Sequence, residues 1–247
     1  MERKCRFWRR FEDRSVKYFP ETTNYDMDTC AGKAQYLAHT EIEPIKLLIE
    51  HTQLSLNVSI RSLGQCIQKY DMTSRFKESS DCSNVQMIMT SRVAPLAYQS
   101  IILILMSLME EAFKCWCRMI EIINDSCPDF DTEFRGKRKG ELEKTFDYLQ
   151  EYTQIKDIES DGDWEKIRAI RTARNAVVHH GGRVPEKSKE LLEKYNIGMR
   201  EEDNSVYIDK DTINDIYNTV ISFVDRIFEK GVVLERQSFS GEKVRGR

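Results

Sequence analysis

Residues 101–109 read Ile-Ile-Leu-Ile-Leu-Met-Ser-Leu-Met, apolar on every face of a helix. Such a helix is stable in water only where protein surrounds it. The run is about half the length that spans a bilayer. It therefore predicts a buried central helix, and the rest of the chain must supply elements to cover it. Apolar residues at helical spacing recur on both sides, from Leu47 to Ile67 and again from Ile213 to Ile227. With 11 Gly and 5 Pro in 247 residues, a loop-rich β-protein is excluded. Strands and helices do not alternate, which excludes a parallel sheet. The expected fold is all-α, an up-and-down helical bundle with one long central helix.

The pattern divides the chain into segments. Residues 1–84 form an N-terminal segment packed on the bundle, with a helical region over 34–70. In that region Leu47, Leu48, Leu54, Leu56, Val58, Leu63 and Ile67 make the inner stripe, and Pro44 marks a break or a first helical position. Residues 71–84 are polar and predict a loop. The bundle occupies 85–230. Its central helix begins near Val85 or Pro95 and ends near Asn124. A charged loop at 129–140 leads to a helix over 141–152. Asp161-Gly-Asp163 is an expected N-cap for a helix from Trp164 to about His180, stopped by Gly181-Gly182. A short helix over 186–195 follows, then an extended segment or small strand at 205–208. The last helix starts at Asp209 or Asp211 and ends at Lys230. Residues 231–247 are expected to be a mobile tail.

Charge narrows the function. Lys and Arg total 38 against 41 Asp and Glu, a net charge of -3, so the chain is not a globally basic coat for nucleic acid. The basic clusters at Arg3, Lys4, Arg6, Arg9 and Arg10, and at Arg135, Lys137, Arg138 and Lys139, read as solvated surface. Seven cysteines, an odd number with no CxxC pair, predict reduced and mostly packed thiols. No Cys/His spacing suits a metal, so neither a metal nor a cofactor is expected. No apolar stretch follows the basic first residues, which argues against a signal peptide. A cytoplasmic protein with no membrane contact is the expectation.

Phosphate-loop, dinucleotide, zinc-protease and nucleophile-elbow motifs are absent from the sequence. Attention therefore falls on the four histidines, His39, His51, His179 and His180. The last two end the helix that starts at Trp164. At about 100° per residue, Ile167, Ile170, Ala173, Val177 and Val178 share an apolar arc. Arg168, Asn175 and His179 form a polar edge. Arg174 falls inside the apolar arc, between Ile167 and Ile170. A guanidinium there needs a carboxylate, a phosphate or a water-filled cleft, because burying it unpaired costs several kcal/mol.

Arg174-Asn175-Ala-Val-Val-His179 is an RN-x3-H form of the R-x4-H motif, near the end of an amphipathic helix and followed by Gly-Gly. In this it resembles the HEPN superfamily, clearest over about residues 85–230. The resemblance implies a metal-independent endoribonuclease that acts as a homodimer, with the motifs of two copies meeting in a shared cleft. His179 would be general base or general acid, Arg174 would bind the scissile phosphate, and Asn175 would orient His179 or the phosphate. An acidic residue on the central helix would face the motif. The candidates are Glu110 and Glu111, of which Glu110 shares a stripe with Met106, Phe113 and Cys117. Arg171 is a candidate second phosphate contact. His180 lies in register as R-x5-H and stays an alternative to His179. Where some HEPN toxins carry a modifiable tyrosine this chain has Gly181, which argues against that mode of restraint. The implied setting is a toxin or phage-defence effector, with RNA as substrate and an antitoxin or defence-system protein as partner. The alternative is a non-catalytic HEPN-like nucleotide-binding or assembly module.

Overall fold

The computed structural model describes residues 24–124, 126–133, 140–153, 155–156 and 158–245. The basic clusters at residues 3–10 and 135–139 lie outside them. The fold is all-α. Helix α1 spans Cys30–Met72, α2 Phe76–Ile88, α3 Ala94–Ile123, α4 Phe130–Glu133, α5 Glu141–Tyr152, α6 Trp164–His179, α7 Lys189–Lys194 and α8 Lys210–Arg245. A single π-helical turn, Met89–Val93, joins α2 to α3, so Phe76–Ile123 is one helical stretch of 48 residues. Among the described residues this stretch alone is long and apolar enough to cross a membrane. Ile101, Ile102, Leu105, Met106 and Met109 are buried in the protein, but Leu96, Ser100, Ile104 and Ser107 are exposed along one side, so the run is not covered on every face as the sequence predicts. The described residues contain no strand beyond isolated antiparallel bridges, Arg183 with Ser205 and Met199 with Val206.

Four other sequence expectations need correction. Pro44 neither breaks nor starts a helix; it sits inside α1. Ile42, Ile45 and Ile49 are all buried around it, and their packing outweighs the lost backbone bond. Residues 76–88 are helix, not loop. Only residues 73–75 turn, with Ser74 at φ 56. The helix is polar because it is solvated nearly all round, with Ser79 its one buried residue. The stripe on α1 is also different: Leu56 is buried, while Leu47, Leu48, Leu54 and Val58 are exposed. Finally, α8 passes Lys230 and continues to Arg245. Gly231 does not stop it because its bare Cα is used for packing against Trp116.

The chain divides into two compact units. The first comprises the described parts of Met1–Glu43, Ser107–Trp164 and Val220–Arg247. Its core is aromatic. Phe113 stacks on Phe228 with ring centroids 5.0 Å apart and meets Phe146 edge-on at 5.2 Å. Trp116 lies against Phe228 and donates its indole N–H to Glu235 Oε1 at 2.8 Å. The same carboxylate accepts from the backbone N–H of Cys30 at 2.6 Å and of Ala31 at 3.2 Å. Glu235 thereby caps α1, whose first turn holds no acidic side chain of its own.

His39 is buried in this unit between two carboxylates. Nε2 is 2.6 Å from Asp225 Oδ1 and Nδ1 is 2.8 Å from Glu43 Oε1. Burial opposes the imidazolium, but hydrogen bonds to Asp225 and Glu43 and their charges outweigh it and raise the pKa. Asp225 is half-buried, which raises its pKa, but its bonds to His39 and Gln35 still hold it below the usual carboxylate value. The linkage signs follow. The raised imidazole stabilises the fold below its usual 6.5 and loses that contribution as pH rises through its folded value. The depressed carboxylate contributes above its usual 3.8 and fades as pH falls. The stability gap between wild type and His39→Gln is therefore expected to peak between those values and shrink above them. Urea titrations across pH measure it; a gap that widens in alkali contradicts the assignment.

The second unit comprises Pro44–Met106 and Glu165–Thr219. It contains most of α6 and the segment that follows. Ile167, Ala169, Ile170, Ala173 and Ala176 bury one face of α6. The extended segment after α7 is fixed by Gln99, whose side-chain amide donates to Val206 O at 2.6 Å.

Candidate functional site

Helix α6 begins at a fixed corner. Asp161 accepts the backbone N–H of Asp163 on Oδ1 and that of Trp164 on its carbonyl, so the expected N-cap segment forms the turn that leads into the helix. Its carboxylate is nearly closed to solvent and receives Arg226 twice, Nη2 to Oδ1 at 2.8 Å and Nε to Oδ2 at 3.1 Å. Arg226 also reaches Asp163 Oδ2 at 2.5 Å. The hydrogen bond from Arg226, against the opposing effect of burial, holds Asp161 below the usual carboxylate range. The sequence signals none of this, because the two partners stand 65 residues apart. Arg226→Ala leaves a nearly buried carboxylate without its fork. We expect it to destabilise the fold by about 1–3 kcal/mol, tempered by the half-exposed arginine. Chemical denaturation reads the loss, and Arg226→Lys restores only part of it.

One turn further, Lys166 bonds Asp215 of α8 at 2.9 Å. Arg174 follows, half-buried, with Nη1 donating to Asn175 Oδ1 at 3.0 Å and Nε fully inside the protein. Asn175 thus holds the guanidinium. Arg171 is half-buried as well, and Arg168 is exposed beside Glu165 at 2.6 Å. Val178, placed on the inner arc by the wheel, is instead 47% exposed. The inner face is centred on Ala169, Ala173 and Ala176, whose small side chains let neighbouring elements come close, and the last turn falls outside it.

His179 and His180 are both exposed at the end of α6, with ring centroids 6.5 Å apart. Gly181 at φ 58 and Gly182 at φ 89 end the helix in the left-handed region, as the sequence predicts. The N–H groups of His180 and Gly182 both bond Ala176 O, at 3.0 and 2.9 Å, and fix the turn that presents the two imidazoles. The polar edge of α6 thus carries Asn175 and, one turn on, the water-accessible imidazole of His179, while Arg174, about 140° round the helix from His179, is hydrogen-bonded to Asn175. That pairing can bind an anion and move a proton beside it.

The second unit holds Arg171, Arg174, Asn175, His179 and His180, whereas Glu110 and Glu111 belong to the first. Both glutamates are half-buried, and Glu111 Oε1 lies 3.5 Å from Arg118. Among the described residues no cluster of three His, Cys, Asp or Glu is placed to hold a metal. Comparison of the chain with protein-family models, with curated proteins and with solved structures gives no match.

Proposed function

We propose that the protein is a metal-independent endoribonuclease of the HEPN type. The observation that carries this reading is the last part of α6: Arg174 is hydrogen-bonded to Asn175, and His179 is exposed one turn after Asn175. In the proposed reaction the 2′-hydroxyl of the substrate attacks the adjacent phosphorus. Its proton leaves to a base, the bond from phosphorus to the 5′-oxygen breaks, and that oxygen takes up a proton. The products are a 2′,3′-cyclic phosphate and a 5′-hydroxyl. His179 acts as the base or the acid. Arg174 binds the phosphate oxygens and stabilises the charge that grows on them. Arg171, one turn before Asn175, is a second phosphate contact, and His180 lines the end of the helix.

The homodimer belongs to the proposal. It is supported by exposed leucine and valine on α1: Leu47, Leu54 and Val58 are each more than half exposed. Apolar side chains so grouped on one helix suit a protein partner. The proposed setting is a cytoplasmic toxin or phage-defence effector restrained or triggered by a partner protein. The same apolar face also favours a second reading, a non-catalytic assembly module.

The test is RNA cleavage in EDTA by full-length protein of known oligomeric state, with the chemistry of the new ends determined. Cyclic-phosphate ends from wild type, and their loss in Arg174→Ala, support the nuclease. A folded dimer that cuts none of a broad RNA panel, alone or with its genomic neighbour proteins, favours the assembly module.

A further inference from the structure

The hairpin of α1 and α2 carries two of the cysteines. It turns at residues 73–75, where the N–H of Arg75 bonds Tyr70 O at 2.9 Å. Its register is set by Gln86, whose Nε2 donates to Ile60 O at 3.2 Å. The same nitrogen lies 3.7 Å from the place a Cβ on Gly64 would take. In an antiparallel pair this register brings Cys66 and Cys82 level to within one turn. The Cys66 thiol is near enough to help raise the Cys82 thiol. Cys66 is exposed and Cys82 partly so, while Cys30, Cys115, Cys117 and Cys127 are buried.

We propose that Cys66 and Cys82 form a redox-modifiable pair, which a small-molecule disulfide such as glutathione disulfide converts to an intramolecular disulfide across the hairpin. Cys66, the more exposed, reacts first. Its thiolate attacks one sulfur of the small disulfide, that S–S bond breaks, and one small thiol leaves. The Cys82 thiolate then attacks the Cys66 sulfur of the mixed disulfide and releases the second small thiol. Two protein S–H bonds are lost and one S–S bond forms. Two electrons and two protons pass to the small disulfide, which becomes two thiols.

The remaining thiols do not compete. Burial, and then the Glu235 carboxylate, pushes Cys30 up to about 12, and burial raises Cys117 well above its ordinary value. Burial, Cys66 and Asp81 raise Cys82 as well. That lowers the Cys82 thiolate fraction, and the high effective concentration of an intramolecular second step offsets it. The new bond closes residues 67–81 into a ring and reduces the freedom of the unfolded hairpin.

The test uses the full chain with Cys5→Ser, which removes the one thiol outside the described residues. Reduced protein is incubated with excess glutathione disulfide, alkylated and digested without reduction. The expected result is a linked Cys66–Cys82 peptide whose mass is lower by two hydrogens. Cys66→Ser and Cys82→Ser should each leave a single mixed disulfide on the remaining cysteine. Oxidised protein should unfold at a higher temperature, reversed by dithiothreitol. Recovery of both cysteines as separate mixed disulfides or alkylated thiols overturns the proposal, as does a link found only between two copies.

Discussion

His179→Ala is expected to slow RNA cleavage by roughly 100- to 10,000-fold, the usual contribution of a positioned acid or base. Its stability should change by less than about 0.5 kcal/mol, because the ring stands in solvent at a helix end. Activity would thus fall without a loss of fold. Added imidazole should restore part of the rate to this variant, a response that a merely structural histidine would not give. Arg174→Lys keeps the charge but loses the planar fork held by Asn175, and we expect a fall of about 100-fold or more. His180→Ala discriminates between the two imidazoles. If it abolishes cleavage while His179→Ala does not, the working histidine is His180. Pre-steady-state rates with one short RNA measure all four proteins.

Gly231→Ala is expected to be the most damaging small substitution in the first unit. A Cβ there would lie 2.3 Å from Cη2 and Cζ2 of Trp116 and 2.9 Å from the Ala31 Cβ. The ring has no room to yield, being fully buried, packed on Phe228 and bonded to Glu235. Alanine improves helix propensity by about 1 kcal/mol, but the collision costs more. The expected net loss is about 2 kcal/mol or greater, or roughly 5 °C of melting temperature for a chain of this length. Gly64→Ala is the matched control. That glycine is also inside a helix, but the nearest atom to its Cβ position is 3.7 Å away. It should gain about 0.5–1 kcal/mol. Equal effects from the two substitutions would contradict the close approach of α8 to Trp116.

These two glycines look alike in sequence, and their difference illustrates where sequence reasoning stops. Periodicity found the all-α class and the central helix from the apolar run at residues 101–109, but it left that helix no solvent face, whereas Ile104 and Ser107 are exposed. Local chemistry found the end of α6, since Gly181 and Gly182 supply the left-handed turn that the chain needs there. It also found the turn at Asp161 that leads into α6. Periodicity failed at residues 76–88, where a solvated helix has no apolar stripe to detect. It failed at Pro44 and Lys230, where tertiary packing overrides a local breaker. In the site, the wheel placed both Arg174 and Val178 inside the apolar arc, whereas Arg174 is half-buried and Val178 is exposed. The anchors of the fold were invisible because each joins distant residues: His39 with Asp225, Asp161 with Arg226, Cys30 with Glu235.

Those same distant pairs constrain the order in which the protein can be made. The first unit is assembled from three separated stretches of chain, and the group that caps α1 lies 205 residues beyond it. The α1–α2 hairpin needs only neighbouring residues and can close early. Phe113 and Trp116, by contrast, meet Phe228 only after about 110 further residues have been made. Until then their rings lack that cover, so the growing chain is more open to aggregation, and to chaperone binding, than the finished fold.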